Sequence, residues 1–182
     1  NAMAGHILAG GYPLYVWNRT AAKAKDLLEK GAVWAESPAL MAAQCDVVFV
    51  NVSDTNDVLE VIFGKNGVAE GIRPGTILVD NSTIAPAGSR EIYERLTPLG
   101  VRCLDAPVSG GDIGAQNATL TIMVGGDAEG LEEVKPILEL LGSKITHVGG
   151  PGAGQIAKAA NQIMVAAQMV AEAELMIFSQ KA

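Results

Sequence analysis

Residues 76–83 read Thr-Ile-Leu-Val-Asp-Asn-Ser-Thr, a short apolar run that ends in four polar side chains. Continuous runs of this kind are typical of parallel strands that are covered on both faces. Polar residues at the carboxyl end of such a strand lie where open α/β sheets bind ligands. The stretch therefore predicts a buried strand with a ligand-binding edge. Ser82 and Thr83 are also favoured at helix starts, so they could instead cap a helix near Ala85-Pro86.

Similar apolar runs recur along the chain and alternate with segments of helical spacing. The runs are Leu14–Trp17, Val47–Val52, Thr76–Val79, Val101–Leu104, Leu120–Val124 and Ile145–Val148. The helical segments are Ala21–Lys30, Thr55–Phe63, Ala87–Leu99 and Ala128–Leu141. The expected caps are Asp127 at a helix start and Gly31, Gly100 and Gly142 at helix ends. This alternation predicts an α/β fold, a doubly wound Rossmann-type sheet that is mostly parallel.

Asn18-Arg19-Thr20 follows the first apolar run, at the position where dinucleotide-binding folds select the ribose of the cofactor. An acidic residue there holds the ribose hydroxyls of NAD, whereas an arginine can pair bidentately with the 2′-phosphate of NADP. Arg19 therefore favours NADP slightly over NAD. The alternative is a solvated arginine in a turn, with Thr20 as the cap of the next helix.

Both ends of the sequence depart from the regular alternation. In dinucleotide folds the glycine-rich loop precedes the ribose-selecting position by about 20 residues, so we expect the sheet to lack its first strand and Asn1–Gly10 to form the helix after that loop. Ala153–Lys181 predicts one long helix that is apolar nearly all round. We expect residues 1–150 to form a cofactor domain that is incomplete at its N-terminus. Residues 151–182 should form a linker helix that begins a truncated all-α domain.

Composition and charge narrow the function classes. The 182 residues are 49% hydrophobic and 18% charged, which is typical of a globular protein. A formal net charge of −7 argues against nucleic-acid binding. The sequence has no uninterrupted apolar run of about 18 residues and no signal peptide, so we expect a cytoplasmic protein without a membrane span.

Cysteine and histidine usage gives no sign of a metal site. Cys45 and Cys103 lie in apolar, strand-like runs and are expected to be buried free thiols in a reducing compartment. His6 and His147 are isolated in the sequence, so they offer no spacing typical of metal ligands.

Asp105-Ala-Pro-Val-Ser-Gly-Gly111 also follows a predicted strand. Gly110 and Gly111 allow backbone conformations that other residues avoid. Their N–H groups, together with the Ser109 hydroxyl, can form a small anion-binding nest that suits a carboxylate. The alternative is a glycine-rich loop without a ligand.

Lys158, Asn161 and Gln162 lie near the start of the long helix, where residues three and four apart share a face. They interrupt an apolar surface, and a lysine that is desolvated there has a lowered pKa and can exchange a proton near neutral pH. The alternative is a surface lysine whose ammonium reaches the solvent.

The last two motifs together resemble the 3-hydroxyisobutyrate dehydrogenase family of β-hydroxyacid dehydrogenases, which includes tartronate semialdehyde (2-hydroxy-3-oxopropionate) reductases. The resemblance runs nearly the whole length of the chain. Beyond those motifs it includes Gly11-Tyr12, Asn18-Arg19-Thr20, Asp80-Asn-Ser-Thr83, Gly114-Ala115 and Thr119–Gly126.

The resemblance implies a role for each matching residue. Lys158 would be the general acid/base, and Ser109, Gly110 and Gly111 would hold the substrate carboxylate. Asn161 or Gln162 would orient the substrate. The residues expected to line the nicotinamide side of NADP or NAD are Val52, Ser53 and Thr83. The helical domain would make a homo-oligomer, and no metal is implied.

The resemblance has departures, and they leave alternatives open. Asn51-Val52-Ser53 replaces a commoner Met-Leu-Pro, Ala118 stands where a glycine is usual, and the glycine-rich fingerprint is absent apart from its trailing helix. Imine reductases of related fold do not keep the lysine, so its presence favours hydroxyacid chemistry. The predicted function is hydride transfer between NAD(P) and a small β-hydroxyacid or semialdehyde. The alternatives are a 6-phosphogluconate dehydrogenase-like enzyme and a non-catalytic dinucleotide-binding or oligomerisation module.

Overall fold

A computed structural model describes residues 1–181 and contains two β-sheets. The smaller sheet pairs β1 (Tyr15–Val16) with β2 (Val33–Trp34) in parallel. The larger sheet has six strands: β3 (Val47–Val50), β4 (Ile77–Asp80), β5 (Arg102–Asp105), β6 (Val108–Ser109), β7 (Leu120–Gly126) and β8 (Gly142–Gly149). Its strand order is β3-β4-β5-β7-β6, and β8 pairs with β7.

The strand directions confirm the predicted α/β sheet, which is mostly parallel, and add an antiparallel part. The pairs β3–β4, β4–β5 and β7–β8 are parallel. Strand β7 runs antiparallel to both β5 and β6. Strands β5 and β6 therefore run in the same direction, and the chain reverses between β6 and β7, in the segment that contains residues 111–116. The carboxyl ends of β3, β4 and β5 therefore meet at one edge of the sheet.

Nine α-helices lie among these strands within residues 1–181. They are α1 (Ala2–Ala9), α2 (Lys25–Glu29), α3 (Pro38–Ala42), α4 (Thr55–Phe63), α5 (Val68–Gly71), α6 (Pro86–Leu96), α7 (Gly111–Gln116), α8 (Ala128–Leu138) and α9 (Ala153–Lys181). Helices α4 and α9 have the predicted bounds. The segment Ala21–Lys30 was predicted as one helix and is instead a 3-10 turn, Ala21–Ala24, followed by α2.

The core consists of two apolar clusters on opposite faces of the larger sheet. Neighbouring residues of β4 point to opposite faces, since Val79 belongs to one cluster and Leu78 to the other. Helices α1 and α8 cover the first face, and α4 and α6 cover the second. Each fully buried Leu, Ile or Val stabilises the fold by about 1.5–3 kcal/mol. Coverage of both faces confirms the doubly wound arrangement.

The structure corrects several local expectations. Cys45 is half-buried and lies in the turn before β3 rather than in a strand, whereas Cys103 is buried in β5 as predicted. Burial raises the pKa of Cys103 to about 12, so this thiol is unreactive. Gly31 and Gly100 adopt the expected positive φ, but Gly142 begins β8 instead. Strand β8 is mostly exposed because it lies at the edge of the sheet.

Helix α9 packs on the sheet only through its first turns. Gly154, Gln155 and Lys158 are its buried residues, and large apolar side chains further along, such as Met169 and Phe178, are exposed. Within residues 1–181, α9 is the one helix that is long and apolar enough to cross a membrane, with a mean hydropathy of 1.2. Length and composition alone are weak evidence for a membrane span.

Candidate active site at the carboxyl edge of the sheet

Asp105, the last residue of β5, fixes the start of α9 to the sheet. Its Oδ1 accepts a hydrogen bond from the Gly152 N–H, and its Oδ2 accepts one from the Gln155 N–H, both at 2.9 Å. A carboxylate stabilises a helix N-terminus through these N–H groups and through the helix dipole. Burial raises the pKa of the Asp105 carboxyl, and the backbone donors oppose part of that rise. The carboxylate therefore acts as a buried cap.

Two glycines allow α9 to lie directly against the sheet. A Cβ at Gly154 would lie 2.5 Å from the carbonyl oxygens of Asp105 and Met123, and a Cβ at Gly125 would lie 2.6 Å from the Gly154 nitrogen. Side chains at either position would push the helix away from β7. This close approach places Lys158, one turn later, over the edge of the sheet.

Gln155 connects α9 to the polar segment after β4. Its side chain is 1% exposed. The Oε1 accepts from the Ile84 N–H at 3.1 Å, and the Nε2 donates to the Ser82 carbonyl at 2.8 Å. The Ser82 hydroxyl in turn accepts from the Val52 N–H at 3.0 Å. The loops after β3 and β4 are thus joined to the helix that carries the lysine.

The polar residues 80–83 divide into structural and exposed positions. Asn81 donates from Nδ2 to the Ala106 carbonyl at 2.7 Å, and Asp80 accepts from the Ser82 N–H at 2.9 Å. Burial raises the pKa of Asp80 to about 6, against the Ser82 hydrogen bonds, and the nearby charge of Asp105 adds to the rise. Only Thr83 of the four is exposed, so the other three hold the edge together rather than bind a ligand directly. The expected cap before Pro86 is also absent, since α6 starts at Pro86 without a side-chain cap.

Lys158 is buried, with 8% of its surface exposed, and desolvation lowers its pKa. Within residues 1–181 it makes no salt bridge. The interpretation of Lys158 as a surface lysine is therefore wrong. Asn161, one turn along, donates from Nδ2 to the Ser109 hydroxyl at 3.4 Å. The same Nδ2 lies 3.3 Å from the Gln162 Oε1.

A cleft of about 490 Å³ separates the lysine from the glycine-rich loop. Its lining residues are Met3, Asn51, Val108, Ser109, Gly110, Gly111, Asp112, Ala115, Leu120, Lys158, Gln162 and Val165. Gly110 and Gly111 have positive φ values of 135° and 61°, a backbone conformation that favours glycine. The volume suits a small organic molecule. The structure therefore brings Lys158, Gln162 and the Ser-Gly-Gly loop to one cleft, with Asn161 in contact with that loop.

The residues predicted on the nicotinamide side are not in the lining of this cleft. Ser53 and Thr83 are exposed at the carboxyl ends of β3 and β4, and Val52 is half-buried beside them. Asn51, which the sequence marks only as a departure from the family, lines the cleft instead. Its Nδ2 lies 3.8 Å from the Met3 sulfur of α1.

The predicted ribose-selecting residues lie beyond the end of β1. The Asn18 Oδ1 accepts from the Thr20 N–H at 2.8 Å and shapes the turn. The Arg19 Nη1 lies 3.4 Å from the Asp57 Oδ1, and the arginine side chain is 81% exposed. Thr20 occupies the N-cap position of the 3-10 turn Ala21–Ala24, as one interpretation expected, but its side chain makes no capping hydrogen bond.

Sequence reasoning missed the roles of Asp105, Gln155 and Asn51. Asp105 carried a signal, because a carboxylate directly after a strand is well placed to cap a helix that starts at the same edge. The others carried none, since their partners are set by the packing of distant segments. Residues 1–181 contain no cluster of three His, Cys, Asp or Glu side chains that could hold a metal ion.

Comparison with known proteins places this geometry in a family. Residues 1–149 match the profile of the NAD binding domain of 6-phosphogluconate dehydrogenase. The chain is 44% identical to the 2-hydroxy-3-oxopropionate reductase of Escherichia coli over 180 residues, which are 99% of this chain and 61% of that protein. It is 42% identical to a protein of Arabidopsis thaliana named 3-hydroxyisobutyrate dehydrogenase-like 2, over 100% of this chain and 60% of that protein.

A solved structure gives the same result. The 3-hydroxyisobutyrate dehydrogenase of Mycobacterium tuberculosis, determined with L-serine, superposes with a TM-score of 0.91 at 33% identity. The match covers 99% of this chain and 61% of that one. This chain thus spans about three fifths of the length of these relatives.

Proposed function

We infer a function from the premise that this chain belongs to the family of the NAD binding domain of 6-phosphogluconate dehydrogenase, and that its relatives include 3-hydroxyisobutyrate dehydrogenases. The protein that contains the chain catalyses reversible hydride transfer between NAD(P) and a small β-hydroxyacid or the corresponding semialdehyde. One observation carries this proposal: buried Lys158 and the Ser109-Gly110-Gly111 loop line the same cleft.

The two sides of the cleft would bind opposite ends of the substrate. The backbone N–H groups of Gly110 and Gly111 and the Ser109 hydroxyl would hold the carboxylate. Lys158 would address the oxygen atom at the reacting carbon. In the oxidation direction, neutral Lys158 takes the hydroxyl proton, and in the reduction direction its ammonium donates a proton to the carbonyl oxygen. A bound nicotinamide supplies or accepts the hydride.

Asn161 and Gln162 would assist from the same helix. Asn161 holds the Ser109 hydroxyl from the side of α9, so it would orient the carboxylate site. Gln162 lines the cleft and offers an amide to the substrate. Holding the substrate at both ends lowers the barrier through positioning.

The described residues fit a dinucleotide along the carboxyl edge of the sheet. Arg19 offers an exposed guanidinium beyond the end of β1, and Ser53 and Thr83 offer exposed hydroxyls after β3 and β4. Carboxyl ends of strands are where open α/β sheets bind such cofactors. Arg19 supports a slight preference for NADP, and Val52 would pack beside the nicotinamide.

The relatives support a small substrate. Lys158 is the only cation among the described residues that line the cleft. The same lining includes one carboxylate, that of Asp112. A phosphorylated sugar acid would need further basic residues, so the cleft favours a hydroxyacid of a few carbons over 6-phosphogluconate. The relatives are named for acids of this size, such as 2-hydroxy-3-oxopropionate, and one was solved with L-serine.

The remaining proposals concern the cell and the assembly. We expect a cytoplasmic homo-oligomer that forms through an all-α domain beginning with α9, and we expect no nucleic acid or membrane as a partner. The division at residue 150 between the cofactor domain and that helical domain is part of the same proposal.

The test compares variants of the full-length protein. We expect the wild type to oxidise NADPH or NADH with tartronate semialdehyde, glyoxylate or succinic semialdehyde. Lys158→Ala should lower kcat/KM by about 10²–10⁴-fold, because the proton transfer loses its donor. Lys144→Ala is the matched control, since Lys144 is an exposed lysine on β8 and should leave the rate unchanged. Equal rates for wild type and Lys158→Ala would refute the mechanism.

A further inference from the structure

Asp57 forms an ion pair with Arg19 at the point where the adenosine end of a dinucleotide would bind. The Oδ1 and Nη1 atoms are 3.4 Å apart, and the side chains are 30% and 81% exposed. An exposed pair with a single long contact contributes little to folding stability. The pair connects the turn after β1 to α4, which are 38 residues apart in the sequence. The significance of the pair therefore lies in its position in the fold rather than in its contribution to stability.

The carboxylate of Asp57 is held more firmly than the arginine. Asp57 lies in the first turn of α4, and its N–H donates to the Asp54 Oδ1 cap at 2.9 Å. Val58 and Ile62 on the same helix are fully buried in the core. Arg19 has a long and mostly exposed side chain, so it can turn towards a ligand while Asp57 stays in place.

The two residues are of the two types by which dinucleotide folds distinguish NAD from NADP at the ribose. In dinucleotide folds an acidic residue after the second strand accepts hydrogen bonds from the ribose hydroxyl of NAD, and an arginine accommodates the 2′-phosphate of NADP. Here the arginine follows the strand β1, and the acidic residue comes from α4 instead. Both groups therefore compete at one position.

We propose that Asp57 is a cofactor-selectivity residue that weakens the preference of Arg19 for NADP over NAD. This inference rests on the proposed dinucleotide binding. A 2′-phosphate that contacts the Arg19 guanidinium comes within a few ångströms of the Asp57 carboxylate and is repelled by it. A ribose hydroxyl in the same place donates a hydrogen bond to that carboxylate. The pair thus lets the site accept both cofactors.

The experiment measures binding of NADPH and NADH directly, by calorimetry with the full-length protein. Asp57→Asn keeps the size of the side chain and removes its charge. We expect this variant to raise the affinity for NADPH relative to NADH by about fivefold at low salt, and by less at 0.5 M salt because screening weakens the repulsion. Arg19→Ala should lower the affinity for NADPH more than that for NADH.

Asp46→Asn is the matched control. Asp46 also forms an ion pair, with Arg73, but it lies just before β3, at the opposite end of that strand from α4. The Asp46→Asn substitution removes the same charge from the protein and should leave the ratio of the NADPH and NADH affinities unchanged.

Three outcomes overturn the inference. If Asp57→Asn leaves the ratio of the NADPH and NADH affinities unchanged, the carboxylate does not discriminate between the cofactors. If Asp46→Asn shifts that ratio equally, the effect is one of general charge. Failure of the wild type to bind either nucleotide would refute the proposed function itself, and the inference with it.

Discussion

Lys158 combines burial with a position at the edge of an open cleft. Desolvation lowers its pKa, and Asp112 is the one carboxylate among the described residues that line the cleft. A lysine with a lowered pKa releases its proton more readily than an exposed lysine. Its chemistry therefore follows from where α9 places it.

The pH dependence of the reaction tests this reading of Lys158. Oxidation of the hydroxyacid needs the neutral amine, so kcat/KM in that direction should rise with pH through the pKa of Lys158. Because desolvation lowers that pKa, the midpoint should lie below the ordinary value of 10.5. Rates measured between pH 6 and 10.5 would show it. Lys158→Arg should lose the rise together with most of the activity, since arginine stays charged. A profile without a midpoint below 10.5 would contradict the account.

Asp80 makes a separate prediction about stability. Its Oδ2 is buried without a hydrogen-bond partner among the described residues, and its pKa in the folded protein is about 6, against 3.8 in the unfolded chain. The folded state therefore binds the proton more tightly, and its contribution to stability is lost as the pH rises from about 4 to about 6. Two pKa units correspond to about 1–3 kcal/mol.

Asp80→Asn should remove that loss, because the amide keeps the acceptor for the Ser82 N–H and carries no charge. Urea unfolding at pH 4 and pH 7 measures the effect. The variant should be the more stable protein at pH 7, with a smaller difference between the two pH values than the wild type. Parallel pH dependence in both proteins would show that Asp80 does not titrate in this range.

At the scale of the elements, helices and strands with long sequence patterns were predictable, whereas the shortest strands were not. The bounds of α4 and α9 agree with their helical spacing, and β4 and β7 agree with their apolar runs to within a few residues. Strands β2 and β6 have only two residues each, which is too few to show a period. They are strands only through their pairing with β1 and β7, so no pattern within the two residues reveals them.

The same distinction applies to the site. Lys158 and the Ser-Gly-Gly loop were predictable because each belongs to a local motif. The contacts that bring them together are not local: Asp105 caps a helix 47 residues further along the chain, and Gln155 reaches 73 residues back to Ser82. Such contacts appear only when the elements have packed.

Removal of the Asp105 cap tests how α9 is positioned. Asp105→Ala leaves two buried N–H groups without their acceptor, so we expect a loss of about 2–4 kcal/mol in unfolding free energy and a fall in kcat. Asp127→Ala is the control, because Asp127 caps α8 through the Gly130 N–H and lies outside the lining of the cleft. It should cost about 1 kcal/mol and leave kcat unchanged. If both variants lose stability but neither loses activity, the cap does not position Lys158.

At the scale of the whole molecule, the elements are arranged so that the functional groups meet at one edge. Asn51 and Thr83 follow β3 and β4, and the Ser109-Gly110-Gly111 loop begins at the end of β6. Helix α9 brings Lys158 to the cleft that Asn51 and this loop also line. The chain has a formal net charge of −7, yet a cation faces the cleft. The proposed binding of a small anion therefore depends on local geometry rather than on the overall charge.

The most direct test is a crystal structure of the full-length protein with an oxidised dinucleotide and a small β-hydroxyacid. We expect the carboxylate of the acid within about 3.2 Å of the Ser109 hydroxyl and of the Gly110 and Gly111 nitrogens. The hydroxyl of the acid should lie within about 3.2 Å of the Lys158 Nζ. An acid bound outside this cleft, or a Lys158 ammonium turned away from the acid into solvent, would contradict the account.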